Sequence, residues 1–182
     1  RGKDQTVAEV VDVSDPTQPK SLGEMSQSGS FRNMRVSGDY MYLLSTFYAD
    51  VTGLPEDIST YVPEVQGKVM DSSHILLPQQ EKGRVYTVVT SFNLKDPTKQ
   101  TDYLAFFGDS TQCYVSEDHI YVYDTIYDAK VSKVTQTEIR KVSYKDGKLD
   151  GTGHVVIDGV INDSFSIDEY EGYLRVVTTI RE

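Results

Sequence analysis

The chain has 182 residues, about one domain's worth, with 18 Lys+Arg against 28 Asp+Glu and a formal net charge of −10. An acid excess of that size excludes nucleic-acid phosphate as the main partner and disfavours an anionic membrane surface, because both need a positive footprint. Hydrophobic residues make up 38% at a mean hydropathy of −0.41, above the range of disordered chains, and no apolar run approaches the ~20 residues that span a bilayer.

At the N-terminus, Arg1-Gly2-Lys3-Asp4-Gln5 has neither an apolar signal segment nor an initiator Met. The expectation is that the chain is a piece of a longer or processed protein. From there the sequence predicts strands over 6–12, 31–36, 40–45, 85–92, 102–107, 112–115, 119–123, 138–144, 154–157, 165–168 and 173–179. These runs are rich in Val, Ile, Tyr, Phe and Thr, residues that suit a pleated, packed surface. Turn chemistry punctuates them at Asp15-Pro16, Ser37-Gly38-Asp39, Asp96-Pro97, Asp146-Gly147 and Asp150-Gly151. No window sustains a 3.6-residue apolar period, and the best helical stretch is a turn or two near 55–61.

Two units repeat along these strands. Arg35-Val36-Ser37-Gly38-Asp39-Tyr40-Met41-Tyr42-Leu43 returns as Tyr114-Val115-Ser116-Glu117-Asp118-His119-Ile120-Tyr121-Val122, and more weakly from Ser166 to Leu174. Val11-Asp12-Val13-Ser14-Asp15-Pro16 returns as Phe92-Asn93-Leu94-Lys95-Asp96-Pro97, and loosely at Val142–Gly147. About 50 positions separate Asp96 from Asp146, the length of a four-strand propeller blade. The first interval is longer by about 30 residues, which fit an insertion at 47–83 within the second blade. The expected fold is therefore all-β: a partial β-propeller of about three blades of four antiparallel strands, arranged as an open arc in a single domain over 1–182. It would begin with the second hairpin of one blade, continue through two whole blades and end with the first hairpin of another. A sandwich or a closed up-and-down barrel are the rival all-β folds, but neither requires paired units recurring in one order. Open sheet edges invite strand addition, so an edge-to-edge homodimer completing a six-bladed ring is a further expectation.

The residues 11–16, Pro19-Lys20, 30–43, Tyr61-Val62-Pro63, 86–94 and 114–122 resemble the predicted secreted bacterial and archaeal proteins with a C-terminal β-propeller domain, distant relatives of WD-repeat proteins. The resemblance implies a secreted or cell-surface, envelope-anchored location and brings no established activity. Domains of that family are longer than this chain, so the resemblance also implies missing blades.

Chemistry-bearing motifs are sparse. Cys113 is the only cysteine, which excludes an intrachain disulfide, and its apolar-alternating surroundings predict a buried, inert thiol. His74, His119 and His154 lack metal-ligand spacing, and His119 occupies the place of Tyr40 in the repeat, which favours a packing or turn role. Asp146-Gly147-Lys148-Leu149-Asp150-Gly151 lacks the alternating acids and terminal Glu of a calcium loop and reads as a hairpin turn. Asp158, Asp163 and Asp168 could converge near a channel mouth but read as solvated loop carboxylates, and Asn162-Asp163-Ser164 marks an exposed loop. No catalytic, metal or cofactor residues are assigned, and no cofactor is expected. Of the 13 Tyr, those at repeated positions such as Tyr42 and Tyr121 are expected to pack between blades. Tyr48, Tyr61 and Tyr127 lie outside the clearest strands and are the candidate contact residues. The leading functional expectation is a non-catalytic binding or scaffold module with a protein or glycan ligand, built on blade faces and the 47–83 insertion. The alternative is a channel-centred hydrolase or lactonase-like enzyme of propeller fold, which needs acids on the inner strands, where this sequence supplies Arg32, Asn33, Arg35 and Asp168.

Overall fold

The computed structural model describes residues 4–50, 52, 56–78, 83–108, 112–130 and 133–180. Among them there is no α-helix; strands and three single 3-10 turns make up the regular structure, and no helix is long and apolar enough to cross a membrane. Four sheets follow one another along the chain. The first is the hairpin β1 (Gln5–Asp12) and β2 (Lys20–Ser28), extended by the two-residue strands β5 (Glu64–Val65) and β6 (Lys68–Val69). The second holds β3 (Ser30–Ser37), β4 (Tyr40–Tyr48), β8 (Val85–Asn93) and β9 (Gln100–Gly108), with β7 (Ile75–Leu76) laid parallel on β9. The third is the meander β10 (Gln112–Val115), β11 (His119–Asp128), β12 (Lys133–Lys145) and β13 (Lys148–Asp158). The fourth is the lone hairpin β14 (Ile167–Tyr170) and β15 (Tyr173–Val176).

The repeated turns explain why strands stop where they do. Asp15 accepts hydrogen bonds from the Thr17 amide at 3.0 Å and its hydroxyl at 2.7 Å, and Asp96 takes the Thr98 hydroxyl at 2.6 Å. Each Asp thus supplies the acceptor that the strand ladder no longer offers. These bonds hold both carboxyls below their ordinary value. Asp146 and Gly147 form the β12–β13 turn, both in the left-handed region (φ 49° and 79°) that a tight hairpin turn demands.

Adjacent sheets pack face to face, and the strand alternation assigns a core to each seam. Tyr42, Leu44 and Val89 of the second sheet meet Ile120, Val122, Val142 and Tyr144 of the third, with the Tyr42 and Tyr144 rings 4.5 Å apart. Tyr121, Tyr123 and Ile139 meet Ile167, Leu174 and Val176 of the fourth. Tyr42 and Tyr121, at equivalent repeat positions, are therefore both packed between sheets, 0% and 4% exposed. Cys113 is half-buried beside the first of these clusters, and burial pushes its thiol up.

Each seam also carries a polar fastening. Between the first two sheets, Gln27 Nε2 donates to Ser45 Oγ at 2.7 Å and to the Val88 carbonyl at 3.2 Å, while its Oε1 accepts from Thr90. Between the second and third, the Gly147 amide donates to the Tyr42 hydroxyl at 2.9 Å and Ser91 donates to the Gly147 carbonyl. A buried ion pair, Arg140 Nη2 to Asp124 Oδ2 at 2.6 Å, lies at the same seam, where Arg140 also donates to the Phe107 carbonyl at 2.9 Å. Such groups are tolerated in a core where most of their hydrogen bonds are made; within the ion pair, Asp124 Oδ1 and Arg140 Nε are buried without a hydrogen bond.

Several local expectations need correction. Asp150-Gly151 is not a turn but lies near the start of β13, where Asp150 pairs with Ser143 of β12; Gly151 makes room for Leu76, since a Cβ there would stand 2.4 Å from Leu76 Cδ1. Strands β11 to β13 run well beyond 119–123, 138–144 and 154–157, since long cross-strand pairing continues past the apolar stretch that betrays it in sequence. Phe165 belongs to the 3-10 turn Ser164–Ser166 rather than to a strand, because Asp163 accepts from the Phe165 and Ser166 amides. Part of the predicted helical stretch near 55–61 is the 3-10 turn Ile58–Thr60; residue 55 lies outside the described residues.

Candidate functional site

Among the described residues, two of the larger concave sites combine apolar walls with placed polar groups. The larger is a groove of about 880 Å³ between the segment joining β4 to β8 and the outer side of β9. Ile58, Val62, Val65, Val69 and Met70 form one wall, Ile75 and Tyr103 the other, and Lys68, Lys99 and Asp71 stand at its polar rim. The segment is moored at three points. Val65 pairs with Gln27 of β2, Ile75 and Leu76 pair with Ala105 and Phe106 of β9, and His74 stacks on Tyr103 with ring centroids 4.5 Å apart. Asp71 caps the turn Ser72–His74 by accepting from the Ser73 amide at 2.8 Å and its hydroxyl at 2.6 Å, and these bonds hold its carboxyl below the ordinary value.

The second is a cleft of about 460 Å³ where the fourth hairpin leaves part of the third sheet uncovered. Its walls are His119, Tyr121, Ile139, Lys141, Val155, Glu169 and Leu174, with His154 at the strand edge. At one end, Glu169 receives three side chains from the third sheet. Ser116 Oγ lies 2.5 Å from Oε2, and His119 Nδ1 lies 2.7 and 3.0 Å from the two oxygens. Burial alone would raise the Glu169 carboxyl; the bonds from Ser116 and His119, the charge of His119 and the bond from Tyr121 outweigh it and hold the carboxyl low. Burial, and then the Glu169 charge, push the Tyr121 hydroxyl up. The order of these bonds is informative. Ser116 bonds the carboxylate and the His119 backbone, not the imidazole, so the three residues do not form a nucleophile–base relay. They fasten the fourth hairpin to the third sheet.

The candidate tyrosines are placed apart. Tyr48 is the exposed last residue of β4, Tyr127 is exposed near the end of β11, and Tyr61 follows the turn Ile58–Thr60, half-buried. Two of the three therefore stand at strand ends rather than outside strands, and none lines the groove or the cleft. The acids from the sequence also do separate local work: Asp158 accepts from Gln136 at 2.9 Å, Asp163 caps its turn, and Asp168 pairs with Arg175. Among the described residues, no group of three or more His, Cys, Asp or Glu is placed to hold a metal ion. Sequence reasoning missed Glu169 and the groove. The repeat alignment sets His119 beside Tyr40, a signal that this position faces the next sheet, but nothing local identifies the carboxylate it meets.

A family model described as "Beta propeller domain" matches residues 1–182. No curated protein matches the chain.

Proposed function

Because the chain belongs to the beta propeller domain family, we propose that it is a non-catalytic binding or scaffold module of a secreted or cell-envelope protein. The observation that carries this reading is the groove of about 880 Å³ that the β4–β8 segment builds on the outer side of β9. Its walls are apolar, its rim holds Lys68 and Lys99 in an otherwise acidic chain, and its floor is a rigid sheet. Concave, mostly apolar sites with a few placed polar groups are where ligands bind, and inserted segments on rigid scaffolds are where function concentrates. The ligand classes that suit it are an extended peptide, for which Val69 and Tyr103 offer side-chain contacts, and a glycan, for which the Tyr103 ring and the two lysines do. Tyr48, Tyr61 and Tyr127 do not line the groove and would extend the aromatic contact surface elsewhere. The secreted or envelope setting rests on the resemblance drawn from the sequence.

Titration of the isotope-labelled chain with soluble cell-wall glycan fragments, and separately with short extended peptides, tests the reading by amide shifts. Shifts centred on Val69, Met70, Thr98 and Tyr103 are expected, with affinity weakened more than about tenfold by Val69→Asp while the spectrum stays folded. Saturation mapping to another surface, or turnover of ester or lactone substrates by the purified chain, would overturn it.

A further inference from the structure

We infer that the groove holds an extended acidic peptide of another protein, added as a strand on the outer edge of β9 at residues 100–103; this deepens the binding reading above and rests on it. On one side β9 pairs with β8 from Gln100 to Gly108. On the other it pairs with β7 at Ala105 and Phe106, and no strand among the described residues pairs with 100–104 there. Gln100 and Tyr103 line the groove, as do Thr98 and Lys99 just before the strand, so the open edge and the groove run together. His74 stacks on Tyr103 where the turn Ser72–His74 leads into β7, which sets the end of the open stretch. The Tyr103 amide donates to Oδ1 of its neighbour Asp102 at 2.9 Å, the kind of local acceptor an amide takes where no facing strand offers a carbonyl. Asp102 Oδ2 accepts from the Leu149 amide at 3.1 Å, so the carboxylate stays held when an entering carbonyl takes its place at Tyr103. Free strand edges are templates for strand addition, and β7 shows that this one accepts a parallel neighbour.

The chemistry of the groove selects the occupant. Strand addition draws affinity from main-chain bonds and specificity from pockets for alternate side chains, and the walls here supply the second: Val69 and Met70 on one side, Tyr103 on the other. A glycan has no repeating amide to pair with the edge. Charge supplies the acidic preference. Lys68 is exposed at the rim and makes no ion pair among the described residues. Lys99 has an exposed pair with Asp96 at 3.1 Å, a contact weak enough in water to be exchanged for a ligand carboxylate. Asp71, the acid at the same rim, already spends Oδ1 on the Ser73 amide and hydroxyl. A second copy of this chain suits the groove poorly, because two chains of net charge −10 repel one another.

The test selects a bead-bound library of random heptapeptides, both ends blocked, on the full chain, and then titrates the strongest binder in solution. Enriched peptides should combine Asp or Glu with β-branched residues, and the binder should slow hydrogen exchange at the Tyr103 amide more than about tenfold. Two analogues of that peptide, N-methylated at the odd or at the even amides, separate strand pairing from side-chain contact alone. The one methylated on the amides that face β9 should bind more than about tenfold more weakly, and the other should keep most of its affinity, because the amides of a strand point alternately to its two edges. Lys68→Glu with Lys99→Glu should weaken the acidic peptide more than about fivefold; both positions are exposed, and circular dichroism checks that the variant folds. The inference is overturned by a library that yields no binder, by enriched peptides that are neutral or basic, by two methylated analogues that weaken alike, or by an unchanged affinity in the lysine variant. Glycan fragments that shift the groove amides when no peptide does would overturn strand addition and leave the binding reading standing, whereas an empty groove with both probes ends both.

Discussion

At the scale of single residues, the side chains that matter most for assembly are polar ones in apolar seams. Gln27 is 1% exposed and uses both ends of its amide, reaching Ser45, Val88 and Thr90 from a different sheet. Replacing it by Leu keeps much of the volume but leaves the Val88 carbonyl and the Ser45 and Thr90 hydroxyls short of a partner in a dry interior. The expected loss is about 2 kcal/mol or more, read as a lower urea midpoint with an unchanged slope. Glycine performs a complementary service at Gly147, where a Cβ would stand 2.5 Å from the Tyr40 ring; the turn can dock on the second sheet only without a side chain.

At the scale of elements, the fourth hairpin is fastened to the third sheet by the Glu169 carboxylate as well as by apolar packing. Folding lowers the affinity of Glu169 for protons, so its contribution is fully present above the unfolded value of 4.5 and is lost as the pH falls through the lower folded value. Hydrogen exchange of the β14–β15 amides should therefore accelerate selectively as the pH drops below about 4.5 relative to the third sheet, after correction for intrinsic rates. Glu169→Gln should remove that pH dependence. Much of the element plan was legible in the sequence, because a unit repeated with its turn residues constrains strand order even without a partner in view: Asp15-Pro16 and Asp96-Pro97 end strands in the same way for the same hydrogen-bonding reason. The ends of β11 to β13 were not legible, since pairing there continues through residues such as Gln136, Thr137 and Lys133 that carry no apolar signal. The groove was illegible for a different cause. Val69 and Tyr103 are far apart in the chain, and only the mooring of the segment joining β4 to β8 brings them to one cavity.

At the scale of the whole molecule, four sheets in series are joined at seams of unequal chemistry: an amide network, a turn docked on a tyrosine beside a buried ion pair, and a carboxylate gripped by serine and histidine. The ladders are unequal too, with four residue pairs in β14–β15 against ten in β11–β12. Stretched between its two ends in a single-molecule pulling experiment, the molecule should therefore yield in steps. The fourth hairpin should release first and at the lowest force, and the second and third sheets should resist longest as one unit. A single rupture of the full contour would refute this order. The seam between the second and third sheets gives the sequence its mechanical meaning: opening it would break the bond from Arg140 to the Phe107 carbonyl and bare the cluster of Tyr42, Leu44, Ile120 and Val122 to water, so tension that strips off the terminal hairpins stops there. The molecule can then lose its ends under load and re-zip onto a preserved centre, as a clasp does when only its outer links open.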